Sequence, residues 1–268
     1  MFKHKLKASL IHLSISLILV FLIIGTTMFF LFPELFVPVT DFKEVASIII
    51  SVDLVLGPLL TFVAFNPQKP KKLLYLDFSV IAAIQLSALM YGAYSLFQIH
   101  PVYVTFNVDR FTIVTAKDAE PEKAIDKTFQ VSKFDSGKLA YAKMPTDTEK
   151  QNDLLLSATM GGEDLEQREE YYEPIEDNLS AIIAKSLDPD LIFKDREDKE
   201  TQKFLSSNKN KLDKFAYLPL NSMKKDAIIV IDKTTAKPVA TFNIDPWSLE
   251  VAKNKPEKTN NGKQVLKN

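Results

Sequence analysis

Three long apolar runs open the chain: Ala8–Phe32, Val45–Phe65 and Leu73–Phe97. A helix rising about 1.5 Å per residue needs roughly 20 residues to cross a hydrocarbon core about 30 Å thick, so each run predicts a membrane-spanning helix. From His100 the period changes. Pro101–Thr115 alternates β-branched and aromatic residues and predicts a strand, or a bent strand broken at Asn107–Arg110. Phe129–Phe134 and Lys138–Ala142 read as short strands around Asp135-Ser136-Gly137. Glu163–Lys185 is charged, has acids at its start and reads as helix. Pro174 divides it into two, the second carrying Ile175, Leu179, Ile182 and Ile183 on one face. Asp188-Pro189-Asp190 ends that helix, and a further short one follows through Asp195–Ser206. Asp226–Ile231 and Pro238–Ile244 flank the polar Asp232–Lys237 and read as a β-hairpin. The predicted architecture is a membrane protein: three N-terminal transmembrane α-helices in residues 1–97, a mixed α+β extracytoplasmic domain in 98–250, and a disordered tail in 251–268.

Charge gives this layout a direction. Lys3, Lys5 and Lys7 precede the first run, and Lys69, Lys71 and Lys72 fill the second loop. The first loop, Pro33–Glu44, has one Lys against Glu34, Asp41 and Glu44. The positive-inside rule then predicts a cytoplasmic N-terminus and a C-terminal domain outside, which in a bacterium is the periplasm. The basic start followed by an apolar run also suits a secretory signal peptide, but the run is about twice as long as a signal h-region and no small-x-small site ends it. An uncleaved anchor is the better reading. Of 33 basic and 34 acidic residues, 7 and 5 fall in 1–97, so residues 98–268 carry a net charge of −3 and offer no electrostatic footprint for nucleic acid. Cysteine is absent, which excludes disulfides, thiol catalysis and thiolate metal sites. The three histidines, His4, His12 and His100, are not spaced as metal ligands.

Within the second run Asp53 is followed by Gly57 and Pro58. An ionisable group at membrane depth costs a few kcal/mol and therefore faces a partner or water. Asp53 can bond inside the bundle, to Ser51 or to Gln85 of the third run, or meet a polar group on another membrane-embedded chain. Pro58 removes a backbone hydrogen bond to Leu54 and predicts a kink. The third run carries two stripes of small residues, Ser79/Ala83/Ser87 and Ala88/Gly92, suited to close helix packing within the bundle or against another chain. Asp77 is expected at the interface beside Lys71 and Lys72. Candidate chemistry elsewhere is thin. Glu169, Glu170, Glu173 and Glu176 read as a solvated helix face, and Asp188-x-Asp190 is a helix terminator before it is a cation site. There is no G-x-S-x-G, P-loop or G-x-G-x-x-G, and a catalytic triad would have to use His100.

Three segments taken together resemble the type IV pilin accessory proteins of the TfpX/TfpZ kind. They are Val52-Asp53-Leu54-Val55-Leu56-Gly57-Pro58-Leu59-Leu60-Thr61; Pro101-Val102-Tyr103 with Asn107-Val108-Asp109-Arg110-Phe111; and Asp245-Pro246-Trp247. The resemblance covers most of 1–115 and 226–247. It implies a non-enzymatic inner-membrane protein without a cofactor. Such a protein acts as a dedicated chaperone for a type IV major pilin subunit, supports pilus assembly and touches the assembly machinery. It also implies partner-binding roles for Asp53, Gly57 and Pro58, with Gln85 added from the third run. The alternative is a membrane-anchored enzyme modifying pilin or a surface glycan, for which Asp188 and Asp190 are the available acids.

Overall fold

The three apolar runs fold as helices α1 (Phe2–Leu31), α2 (Phe42–Ala64) and α3 (Lys71–Ile99) in the computed structural model, which describes residues 2–209, 211–222 and 226–253. All three are long and apolar enough to cross a membrane. Helix α1 starts at Phe2 rather than Ala8, so its first turns carry the basic flank. Asp77 pairs with Lys69 at 2.7 Å, not with Lys71 or Lys72. Those two sit on the helix that carries Asp77, five and six positions away, and so point to other faces of it, whereas the loop brings Lys69 around. Of the small-residue stripes, one packs inward: a side chain at Gly92 would meet Ile49 Cγ1 at 2.5 Å. Ser79, Ala83 and Ser87 face outward.

The soluble part is built on one seven-stranded sheet. Its first strands are β1 (Pro101–Asn107) and β2 (Arg110–Thr115), which form a hairpin where a broken strand was expected. Then follow β3 (Lys138–Ala142), helix α4 (Thr148–Thr159), β4 (Tyr172–Glu173), and the short helices α5 (Leu179–Ile183), α6 (Pro189–Phe193) and α7 (Lys199–Ser207). Strands β5 (Phe215–Asn221), β6 (Asp226–Asp232) and β7 (Pro238–Phe242) and helix α8 (Pro246–Lys253) complete it. The strand order is β4-β3-β1-β2-β5-β6-β7, with β1/β3 and β2/β5 parallel and the other pairs antiparallel. Both faces are covered, so β1, β5 and β6 are nearly continuous apolar runs. One face holds Val104, Phe106, Leu218 and Ile229 with Ile175 and Ile182. The other is covered by Phe129, Leu154 and Leu165 over the β1/β3 half and by Ile192 and Phe204 over the β5–β7 half.

The bundle and the sheet share this core. Phe36 and Val39, from the loop between α1 and α2, are buried among Val104, Phe106 and Ile113. Thr241 of β7 donates to the Leu35 carbonyl at 2.5 Å. Gly137, at φ +70°, lies where a side chain would meet Pro33 Cγ at 3.1 Å. The loop after the first span is thus part of the sheet's hydrophobic layer.

Several expectations in the middle of the chain are corrected. Phe129–Phe134 forms no strand: Asp126 caps a 3-10 turn over Lys127–Phe129, and Phe129 turns into the core. The expected helix at the start of 163–185 is replaced by two 3-10 turns and by β4, which pairs with β3. The helix lies earlier, as α4, capped by the Asp147 side chain on Lys150 N–H. Its leucines are consecutive, and only Leu154 is buried, so no helical period announced it. Asp188-Pro189 starts a helix instead of ending one, the Asp188 carboxylate accepting from Asp190 N–H. Strand β5 was not anticipated because of Pro219. Its ladder with β2 is confined to Leu220 and Asn221, beyond the proline, while Ser186 and Leu187 bond both main-chain groups of Tyr217 on the edge above it. Helix α8 extends into the expected tail as far as Lys253; the tail beyond it, 254–268, lies outside the described residues.

Glu169, read as part of a solvated face, is 0% exposed. Its Oε1 accepts from Glu120 N–H at 2.8 Å, while Oε2 is buried without a partner. Burial, with the carboxylates of Glu120 and Glu170 nearby, holds its pKa above the ordinary 4.5. Burial likewise raises Glu166, which accepts from Asn107 Nδ2. A carboxyl whose folded pKa is raised contributes its full stability below the unfolded value and loses it as pH rises through the folded one. Glu169 is therefore expected to cost stability increasingly as pH rises above 4.5, so that Glu169→Gln gains in melting temperature over the wild type toward neutral pH, in the detergent-solubilised protein. A pH series of thermal denaturation, wild type against variant, checks this.

Candidate functional site

The middle of α2 is not α-helical. Pro58 has no N–H to offer the Leu54 carbonyl, and its ring crowds the preceding turn. The chain widens here into a π turn, Val52–Leu56, in which Gly57 N–H reaches back to Val52 O. This π turn stands where a kink was expected. It carries Asp53 toward the bundle interior, where the residue is 4% exposed. One turn on, Gly57 presents bare backbone to α3, and a side chain there would overlap the Gln85 amide. Gln85 is drawn in against it and is 8% exposed.

Helix α1 supplies the opposite wall. Ser9 Oγ donates to the Pro58 carbonyl at 2.8 Å, and His12 Nδ1 and Thr61 Oγ1 lie 2.5 Å apart. Between α1 and α3, floored by α2, is a cavity of 560 Å³ whose polar lining is His12, Ser16, Asp53, Thr61 and Gln85. The remainder is apolar, including Ile15, Leu19, Phe78 and Ile81. Two side-chain atoms of these residues are fully buried without a hydrogen-bond partner: Asp53 Oδ2 and Gln85 Nε2. Leaving such groups unsatisfied in an apolar setting costs about 1–3 kcal/mol each, more for a charged one. Both residues line the cavity while these two atoms lie beneath its surface, so a guest with a complementary donor and acceptor would pair with them once the side chains rotate.

All four residues singled out from sequence meet here. Asp53 and Gln85 line the cavity, Gly57 seats Gln85, and Pro58 creates the π turn. Ser51 bonds the Ser47 carbonyl and takes no part. The α1 residues Ser9, His12 and Ser16 were missed, although a histidine inside an apolar run is the same signal that marked Asp53. Among the described residues no group of three or more His, Asp or Glu is arranged to hold a metal. His100 is buried with both ring nitrogens against main-chain carbonyls, those of Phe97 and Asp135, and desolvation holds its pKa below the ordinary range.

The other motif segments also converge, away from the groove. The Arg110 guanidinium lies 4.5 Å over the Trp247 ring, whose Nε1 donates to Asp226 Oδ2 at 2.8 Å. Asp109 pairs with Arg110, and Asn107 bonds Glu166. Val108 takes φ +57° at the hairpin tip. This cluster clamps the β1–β2 hairpin to β6 and α8, a structural role.

Fold and groove together define a class: three helices long and apolar enough to span a membrane, with a cavity among them and an α/β sheet domain packed onto their end. Comparison with known proteins narrows this. The chain is 28% identical over 249 residues to a fimbrial assembly protein of serogroup I from Dichelobacter nodosus, covering 89% of this chain and 96% of that one. The serogroup E1 protein gives 28% over 252 residues with the same coverage. A fimbrial assembly protein of serogroups C1 and C2 from the same organism is 38% identical over 112 residues, 42% of this chain and 86% of the relative. The chain belongs to the fimbrial assembly protein family. No family model matches it, and no solved structure does.

The contact between Gly57 and Gln85 is open to a double-mutant cycle. Gly57→Ala is expected to destabilise the bundle by about 1–3 kcal/mol through overpacking, and Gln85→Ala in the same chain to recover most of that loss. Thermal unfolding in detergent of the two single variants and the double variant gives the coupling directly.

Proposed function

We propose that this protein assists pilus assembly as an inner-membrane chaperone of the TfpX/TfpZ kind, holding an unassembled type IV pilin subunit by its membrane helix until the assembly machinery takes it. The observation that carries the reading is the cavity lined by Asp53 and Gln85, each of which keeps one side-chain atom, Oδ2 and Nε2, buried without a partner. A turn of helix about 10 Å wide and 5.4 Å long occupies roughly 400 Å³, so 560 Å³ suits the flank of one helix. A guest helix with a hydrogen-bonding side chain at this depth would pair with both side chains once they rotate toward it, and lipid tails would pair with neither. The names of the relatives support a role in fimbrial assembly. The distribution of lysines supports a cytoplasmic N-terminus and a periplasmic sheet domain, the side on which the head of a membrane-anchored pilin would lie. The role is one of binding, without a cofactor or a chemical step.

The test separates binding from folding. Replacing an unsatisfied buried polar group by an apolar one of similar shape is neutral or stabilising to the fold. Asp53→Leu is therefore expected to leave the protein's own membrane level and melting temperature equal or higher, while the cognate major pilin falls toward the level seen without the protein at equal pilin transcript. Unchanged pilin in cells carrying a well-folded Asp53→Leu chain would overturn the reading.

A further inference from the structure

The loop 132–136 lies in the sheet domain by sequence, yet it is sutured to the ends of two membrane helices. Ser136 Oγ reaches the Phe30 carbonyl of α1 at 3.5 Å. The Asp135 carbonyl faces His100 Nε2 at 3.3 Å, one residue past α3, and Gly137 N–H bonds the Pro101 carbonyl. Between these ties stands Phe134, which is 68% exposed. Its ring packs at 5.0 Å on Phe97 in the last turn of α3. A recess of 580 Å³ opens between this loop and the end of α1, lined by Thr26, Thr27, Phe30, Leu31 and Phe134 with Asp135 and Ser136 above.

The level of this loop is set by its neighbours. Phe29 and Phe30 at the end of α1 and Tyr91 and Tyr94 near the end of α3 are all strongly exposed aromatic residues. Aromatic side chains gather at the boundary between headgroups and acyl chains, where one end of the ring is dry and the other wet. Phe134 continues that belt from the domain side, with Lys133 and Asp135 flanking it. An exposed phenylalanine on a surface loop has no reason to be held in water, and here it is held beside the last turn of a span.

We propose that loop 132–136 is an interfacial anchor: Phe134 inserts into the outer headgroup–acyl boundary of the phospholipid bilayer, and the recess beside it seats a lipid. With α1 and α3 this gives the sheet domain a third point of contact with the membrane and fixes its tilt. The inference is independent of what occupies the groove between the helices.

The chain has no cysteine, so a single one carries a unique label. Phe134→Cys and Val108→Cys, each bearing a nitroxide, are reconstituted as full-length protein in vesicles of phosphatidylethanolamine and phosphatidylglycerol. Val108 is also exposed but sits at the far end of β1, about 20 Å from the span at roughly 3.3 Å per residue. Power-saturation measurements compare collisions with oxygen, which concentrates in lipid, and with a water-soluble nickel chelate. The expected result is a reversal: oxygen the stronger relaxant at 134 and the nickel chelate the stronger at 108. Nickel equal to or stronger than oxygen at 134 would overturn the proposal. A lipid carrying a paramagnetic group near the glycerol should also broaden the signal at 134 and leave 108 unchanged; equal broadening at both positions would count against it in the same way.

Discussion

A proline in the middle of a membrane helix is the constraint on which the bundle depends. In lipid there is no water to satisfy a freed carbonyl, so every break in the ladder has to be repaired by the protein itself. Pro58 breaks it, and three features arrange the bundle around the break. The π turn over Val52–Leu56 passes the bond from Gly57 N–H to Val52 O. Ser9 of α1 donates to the proline's own carbonyl. Gly57, lacking a side chain, lets α3 approach until the Gln85 amide lies against it. Each of them also shapes the groove. The π turn aims Asp53 inward, the Ser9 contact pins α1 across the opening, and the Gly57 contact buries Gln85.

The bundle leaves two polar side-chain atoms unsatisfied. Asp53 and Gln85 line the cavity, and their Oδ2 and Nε2 atoms stay buried without a partner. A bundle selected only for stability would fill this place with leucine. On the reading proposed above, keeping two costly polar atoms there trades stability for recognition. The sheet domain is rigidly coupled to the groove, because Phe36 and Val39 between α1 and α2 are core residues of the sheet. A guest held by both parts would meet them in one fixed relative position.

Much of this was legible in the sequence, for identifiable reasons. The spans follow from run length, the Pro101–Thr115 strands from alternation, and the 226–244 hairpin from two apolar segments flanking a polar one. Asp53, Gly57, Pro58 and Gln85 stood out because polar and helix-breaking residues are rare in apolar runs. What the sequence hid depended on distant partners. Nothing local says that Phe36 and Val39 pack under a sheet, or that Glu169 is buried beneath Glu120. Strand β5 was masked by Pro219, which is tolerated because the β2 ladder begins only after it. Helix α4 was masked by three consecutive leucines of which one is buried. His12 was passed over for lacking a metal partner, when its hydrogen-bond partner was Thr61 on another helix.

The central claim is that the groove between α1 and α3 receives a pilin's membrane helix. Ile15 lines that groove, whereas Phe21 is exposed on a different face of the same helix. The most direct measurement replaces each in turn by a photoreactive benzoylphenylalanine in cells making pilin, then irradiates the membranes. Our account predicts a protein–pilin adduct from position 15, lost when Asp53→Leu is added, and none from position 21. Adduct formation from position 21 but not 15, or from neither while pilin levels still depend on the protein, would contradict it.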